Sequence, residues 1–217
     1  MIWGGKQTLF GLLGLLGAVL VGAGEYTLQF NTLGDYASAG YEYFSGISQG
    51  RLTGGHFLSV LAAPLYLLGY WHLASNLAPA SKRWAQIFFF LGAYSFIVGA
   101  VWMGQRVFLA ETVQAIDAGL PLAFLLERFA ALNEPFVNVL RLAVLINSII
   151  WISLIVQGRS NYPRWLAVFS PIALLAGIFA LYFAAPEPGR YLLPGAMNVV
   201  HVIIFGLSLL TARAKAP

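Results

Sequence analysis

Residues 82–106 read KRWAQIFFFLGAYSFIVGAVWMGQR. Lys82 and Arg83 stand at one end and Arg106 near the other, and the stretch between, 84–103, carries no charge. At about 1.5 Å per residue a helix over that stretch covers about 30 Å, the hydrocarbon thickness of a bilayer. Trp84 sits at the basic end, where an amphipathic ring favours the membrane–water interface. Five further stretches are apolar over a comparable length: 8–26, 55–73, 136–156, 165–185 and 192–210. The expected fold is all-α, a polytopic membrane protein with six transmembrane helices forming one helical-bundle domain over residues 1–217. The stretch 8–24 behind Lys6 also has the make-up of a signal-peptide core; we read it as the first span.

Charge divides along these spans. The alternate connections hold Lys6, Lys82, Arg83, Arg159, Arg164, Arg213 and Lys215 and no carboxylate, as the positive-inside rule expects of short cytoplasmic segments. Every carboxylate falls on the other side: Glu25, Asp35, Glu42, Glu111, Asp117, Glu127, Glu134 and Glu187. Arg51, Arg106, Arg128, Arg141 and Arg190 share that side. Both termini are therefore expected in the cytoplasm, with any chemistry facing outward.

At 59% hydrophobic and 9% charged residues, the 217-residue chain has too little polar surface to coat a soluble globule. Its net charge of +4 comes from basic residues scattered over inner connections, with no basic block, so no nucleic-acid partner is expected. With no cysteine there is neither a disulfide nor a thiolate ligand. Three histidines make a poor zinc site, because His56 and His72 lie about 160° apart around one helix. No metal is expected, and no HExxH, GxSxG, phosphate-loop or EF-hand pattern occurs.

Two outer connections are long. The segment 29–54 is rich in Gly, Ser and Tyr, with Tyr36, Tyr41, Tyr43 and Phe44 suggesting a cap at the interface. The segment 110–133 alternates acidic and apolar residues around Gly119–Leu120–Pro121 and reads as two short amphipathic surface helices. Pro135, behind Asn133 and Glu134, suits the first turn of the fourth span. Trp84, Trp165 and Tyr162 are placed at the interface, and His72 is treated as interfacial near the inner end.

Helical periodicity collects the polar groups of each span onto one face. The first span aligns Gly11, Gly14, Ala18, Gly22 and Glu25, a smooth packing face ending in a carboxylate. The second aligns His56, Ser59, Tyr66 and Tyr70; the third Ser95, Gly99, Trp102 and Arg106; the fourth Glu134, Asn138, Arg141 and Ser148; the sixth Asn198, His201 and Ser208. Glu25, His56, Arg106, Arg141, Asn198 and His201 come to a similar outer depth. A charge facing lipid there costs a few kcal/mol, so these groups are expected to face one another or a wet cavity.

The run Gly158-Arg159-Ser160-Asn161-Tyr162-Pro163-Arg164-Trp165, then Phe169-Ser170-Pro171 and Gly195-Ala196-Met197-Asn198, resembles a pattern in uncharacterised bacterial six-helix membrane proteins. The glycine-rich first span and the Pro-Leu-Tyr-Leu-Leu-Gly segment at 64–69 resemble them too. The similarity covers most of the chain. It implies a six-helix fold in a bacterial cytoplasmic (inner) membrane and no assigned activity.

Three function classes follow. The first is an integral-membrane enzyme taking a lipid-like or isoprenoid amphiphile sideways from the outer leaflet: His201 or His56 would exchange protons and Glu25 would assist. Arg141 and Arg106 would hold an anionic group, with Asn198, Asn138, Trp102 and Tyr66 against the substrate. The second is a non-catalytic binder, transporter or subunit of a larger complex, its outer loops meeting a membrane-protein partner or a second copy. The third is a b-type cytochrome with His56 and His201 as axial ligands of haem b, the one cofactor considered.

Overall fold

A computed structural model describes residues 2–32 and 40–212. Asp35, Tyr36, Arg213 and Lys215, which entered the charge and cap expectations, lie outside the described residues. All regular structure among the described residues is helical: α1 (Ile2–Gln29), α2 (Gln49–Ala62), α3 (Leu65–Leu77), α4 (Lys82–Asp117), α5 (Ala123–Val156), α6 (Pro171–Ala184), α7 (Pro186–Leu192) and α8 (Ala196–Thr211). Three 3-10 segments, Glu42–Phe44, Arg164–Phe169 and Leu193–Gly195, join them. Among the described residues, five segments are long and apolar enough to cross a bilayer: Lys6–Gln29, Gln49–Leu77, Lys82–Asp117, Ala123–Val156 and Pro186–Thr211. Large apolar side chains such as Leu61, Phe90, Ile97, Ile149 and Phe183 are exposed on the outside of the bundle, which suits a lipid solvent and not water.

α1 is the hub. Its glycines let backbones approach: a Cβ on Gly14 would collide with the backbone of Gly69 in α3, and one on Gly24 with Ser59 and the Gly55 carbonyl in α2. α8 closes on the same helix, with Gly22 against Asn198 and Gly11 against Leu209.

Several boundaries differ from the expected ones. The second span is broken at Pro64 into α2 and α3, because proline lacks the N–H and its ring clashes with the preceding turn. The segment 110–133 is not two separate surface helices. α4 and α5 run continuously for 36 and 34 residues, about 54 and 51 Å, and form one antiparallel hairpin that turns at Gly119 (φ +91°) and Pro121. Pro135 consequently lies inside α5 and does not start it. Asn133 anchors that register by donating to the Trp102 carbonyl (3.1 Å) and to Gln105 (3.2 Å). The expected span 165–185 is a 3-10 segment to Phe169 followed, after an extended Ser170, by the 14-residue α6.

Two apolar cores result. The larger one joins α3, α4, α5 and α8 around Tyr66, Phe88, Trp151 and Phe205. The smaller packs Tyr41, Tyr43, Phe44 and Ile47 of the outer connection onto Leu28, Leu52, Leu109 and Val113, so that connection is a folded cap. At the opposite end Tyr162 and His72 are buried, contrary to their expected interfacial placement, whereas Trp84 and Trp165 are half exposed. His72 Nδ1 donates to the Gln7 carbonyl (2.8 Å), and its Nε2 accepts from Ser208 (2.8 Å), which is bonded to the Tyr162 hydroxyl (2.6 Å). The polar atoms of these two side chains find partners within the bundle, which keeps both rings inward.

Candidate functional site

A cavity of about 650 Å³ opens between the cap and the bundle, walled by α1, α2, α3, α4, α5, α6 and α8. Glu25, Arg106, Glu134 and Arg141 are its charged lining residues, with Gln29, Asn147, Asn198, His201 and several tyrosines and serines among the polar ones. The α5–α6 wall is apolar: Val144, Ile172, Leu175 and Phe179.

Glu25 ends the glycine face of α1, where it is buried without an ion pair among the described residues. Gln29, one turn on, donates to its Oε1 (3.2 Å), and Asn198 donates to its Oε2 (2.5 Å). The Tyr66 hydroxyl donates to Asn198 Oδ1 (2.5 Å), and the Tyr66 ring stacks on Phe96. Gln29 also accepts from Arg106 Nε (2.8 Å) and donates to the Pro194 carbonyl (2.5 Å). One amide thus separates the buried carboxylate from the buried guanidinium. Arg106 donates through Nη2 to the Tyr43 hydroxyl and lies 4.6 Å from the centre of the Trp102 ring, a cation–π arrangement. Burial raises the Tyr43 hydroxyl above its ordinary pKa, with Arg106 opposing. Burial, reinforced by the adjacent Glu134, raises that of Tyr41, so Tyr41 stays a donor and hydrogen-bonds Glu134.

His201 sits lower, ringed by Tyr66, Tyr70, Phe96 and Phe205. Its Nδ1 faces the Met197 carbonyl at 2.7 Å, which can only accept, so in the neutral ring Nδ1 carries the hydrogen. Nε2 then accepts from the Tyr70 hydroxyl (3.0 Å). His201 lines the cavity with both nitrogens occupied, so its hydrogen bonding reaches a bound molecule through Tyr70.

Residues 5–215 match the family described as "Family of unknown function (DUF6796)". The chain belongs to DUF6796. No curated protein and no solved structure matches it. Membership in DUF6796 is consistent with the uncharacterised family that the sequence resembles and assigns no activity.

In this DUF6796 chain Glu25, Arg106, Trp102, Arg141, Asn198 and His201 line one cavity. Tyr66 stands behind it, holding Asn198. His56 is not brought there: it lies on the part of α2 that passes α4 near Gly104, its ring edge on Phe57 and its Nδ1 without an acceptor among the described residues. Asn138 is exposed beside the cavity and accepts from Arg141 Nη1 (3.3 Å). The residues do not fit an axial haem pair, since His201 offers no open nitrogen and His56 does not line the cavity. Two amides that line the cavity, Gln29 and Asn147, are not marked by the polar stripes. Gln29 is one turn beyond Glu25 on the same face, and Asn147 is an amide inside an apolar run; oriented to satisfy its contacts, it bonds the Phe88 carbonyl and Gly92 N–H at 3.3 Å. A polar side chain at membrane depth is itself the signal for Asn147, because it must find a partner.

Proposed function

We propose that this protein crosses the cytoplasmic membrane of a bacterium six times, with both termini inside, and takes a lipid-like or isoprenoid amphiphile sideways from the outer leaflet into its cavity. One observation carries the reading. Arg141, Ile172, Leu175 and Phe179 line both the interior cavity and a groove along α5 and α6, so those four side chains are the wall between the two spaces and a change of their rotamers would join them. The groove side is apolar, whereas Glu25, Gln29, Arg106 and Asn198 lie toward α1 and the cap, the division an amphiphile needs. Six crossings are supported by the 3-10 segment ahead of α6: six and 14 residues together reach about 33 Å.

Within this reading Glu25 is the group best placed to exchange a proton with a bound molecule. Tyr70, backed by His201, is the second. A role as subunit of a larger membrane complex draws support from a different feature: Phe108, Leu120, Phe124 and Leu132 are exposed on the outer part of the α4–α5 hairpin, where a partner or second copy would cover them.

Gly99 provides the test. It lines the cavity, and a Cβ there meets nothing within 4 Å. Gly99→Phe should fill the space without disturbing the fold and abolish the amphiphile that native mass spectrometry finds on the purified wild-type protein. Gly206→Phe, on α8 away from the cavity and equally unobstructed, should keep it. Undiminished lipid on Gly99→Phe would refute the reading.

A further inference from the structure

We infer that the amphiphile is anionic and that its headgroup docks on Arg141, an inference that rests on the proposed lateral cavity. The charged lining residues differ in how far their hydrogen-bonding capacity is spent. Glu25 is held by Gln29 and Asn198, Arg106 by Gln29, Tyr43 and the Trp102 ring, and Glu134 by Tyr41. Arg141 makes one hydrogen bond among the described residues, at 3.3 Å to the neutral amide oxygen of Asn138, and no ion pair. Most of its five donors are open.

Its place makes that openness costly. Arg141 is 18 residues from the start of α5 and one to two turns outward of Asn147, within the most apolar of the spanning segments, and it is exposed while lining both the cavity and the α5–α6 groove. A guanidinium within the hydrocarbon without a counter-charge is unfavourable, and an anion brought to it relieves the cost. A guanidinium offers donors only, so the ligand that completes this site supplies oxyanion acceptors. Leu145, Leu175 and Phe179 in the groove supply the surface for its chain. A phosphate or carboxylate headgroup on an apolar tail satisfies both halves; a free anion satisfies only the first.

The experiment uses the full chain reconstituted in bilayers of equal parts phosphatidylglycerol and phosphatidylcholine, then extracted, with bound lipid counted by native mass spectrometry. Wild type should retain phosphatidylglycerol in about tenfold preference over phosphatidylcholine, the worth of one charge-assisted contact. Arg141→Gln should lose that preference, and Arg128→Gln, on the exposed outer part of α5, should keep it. An unchanged preference in Arg141→Gln overturns the assignment. Displacement of phosphatidylglycerol by millimolar inorganic phosphate overturns the amphiphilic source, leaving a site for a free anion. Equal retention of both lipids by wild type, lost in Gly99→Phe, refutes the charge selectivity and leaves the cavity reading standing. Wild type without bound lipid refutes the cavity reading itself.

Discussion

Gly14 and Gly99 are chemically identical and sit on helices of similar character, yet a methyl group added to each should act in opposite directions. At Gly14 the new Cβ runs into the Gly69 backbone, which no rotamer change can move, so α1 and α3 must separate. At Gly99 it enters open space, where the gain is the reduced backbone freedom of alanine in a helix. Gly14→Ala should therefore cost about 1–3 kcal/mol, and Gly99→Ala should be neutral or stabilising by about 0.5–1 kcal/mol. Thermal unfolding of both variants in one detergent checks this; matching melting temperatures would contradict it. The same contrast explains which site residues were legible. Glu25, Arg106, Arg141 and Asn198 stand out because a charge or amide at membrane depth demands a partner. Phe96 does not, since a phenylalanine in a span has the same composition signature whether it faces lipid, core or a histidine. The state of His201 depends on the Met197 carbonyl and on Tyr70, 131 residues away, and no periodicity carries that.

At the scale of elements, hydropathy located the spanning segments because burying some twenty residues in hydrocarbon outweighs any local preference. It blurred their ends for the same reason. Averaging over a span hides a single position such as Pro64, where the helix breaks. It also stops where the apolar run ends, although α4 and α5 continue beyond it, packed together through Leu109, Val113, Leu126 and Phe129. Proline at 135 is tolerated there because one missing N–H is a smaller loss than an unpaired hairpin arm. The expected outcome is a fixed antiparallel register. With Asn133 hydrogen-bonded to Gln105, a Gln105→Cys/Asn133→Cys pair should be joined efficiently by a short bifunctional thiol reagent, and a Gln105→Cys/Phe124→Cys pair should not. Two independent surface helices would give no such contrast. Arg51 performs a related task at the end of α1, donating to the Thr27 and Phe30 carbonyls at 3.0 and 2.6 Å. An arginine counted only as an outer charge thus caps a helix.

For the whole molecule, the separation of charge and the position of the cavity are linked. Glu25, Arg106, Glu134 and Arg141 line the half that carries the carboxylates, and the basic connections around Lys82, Arg83, Arg159 and Arg164 lie at the other end, beside the His72–Ser208–Tyr162 network. If the positive-inside rule governs insertion, the cavity opens in the outer leaflet; if it does not, the amphiphile must come from the inner one. The chain has no cysteine, so single introduced thiols report orientation without background. Asp117, at the tip of the hairpin, and Gln157, at the opposite end of α5, are both exposed. Asp117→Cys should react with a membrane-impermeant maleimide in intact cells, and Gln157→Cys only after permeabilisation. The reverse pattern would leave the fold and cavity intact but turn the site toward the cytoplasm, and Arg141 would then meet lipids of the other leaflet.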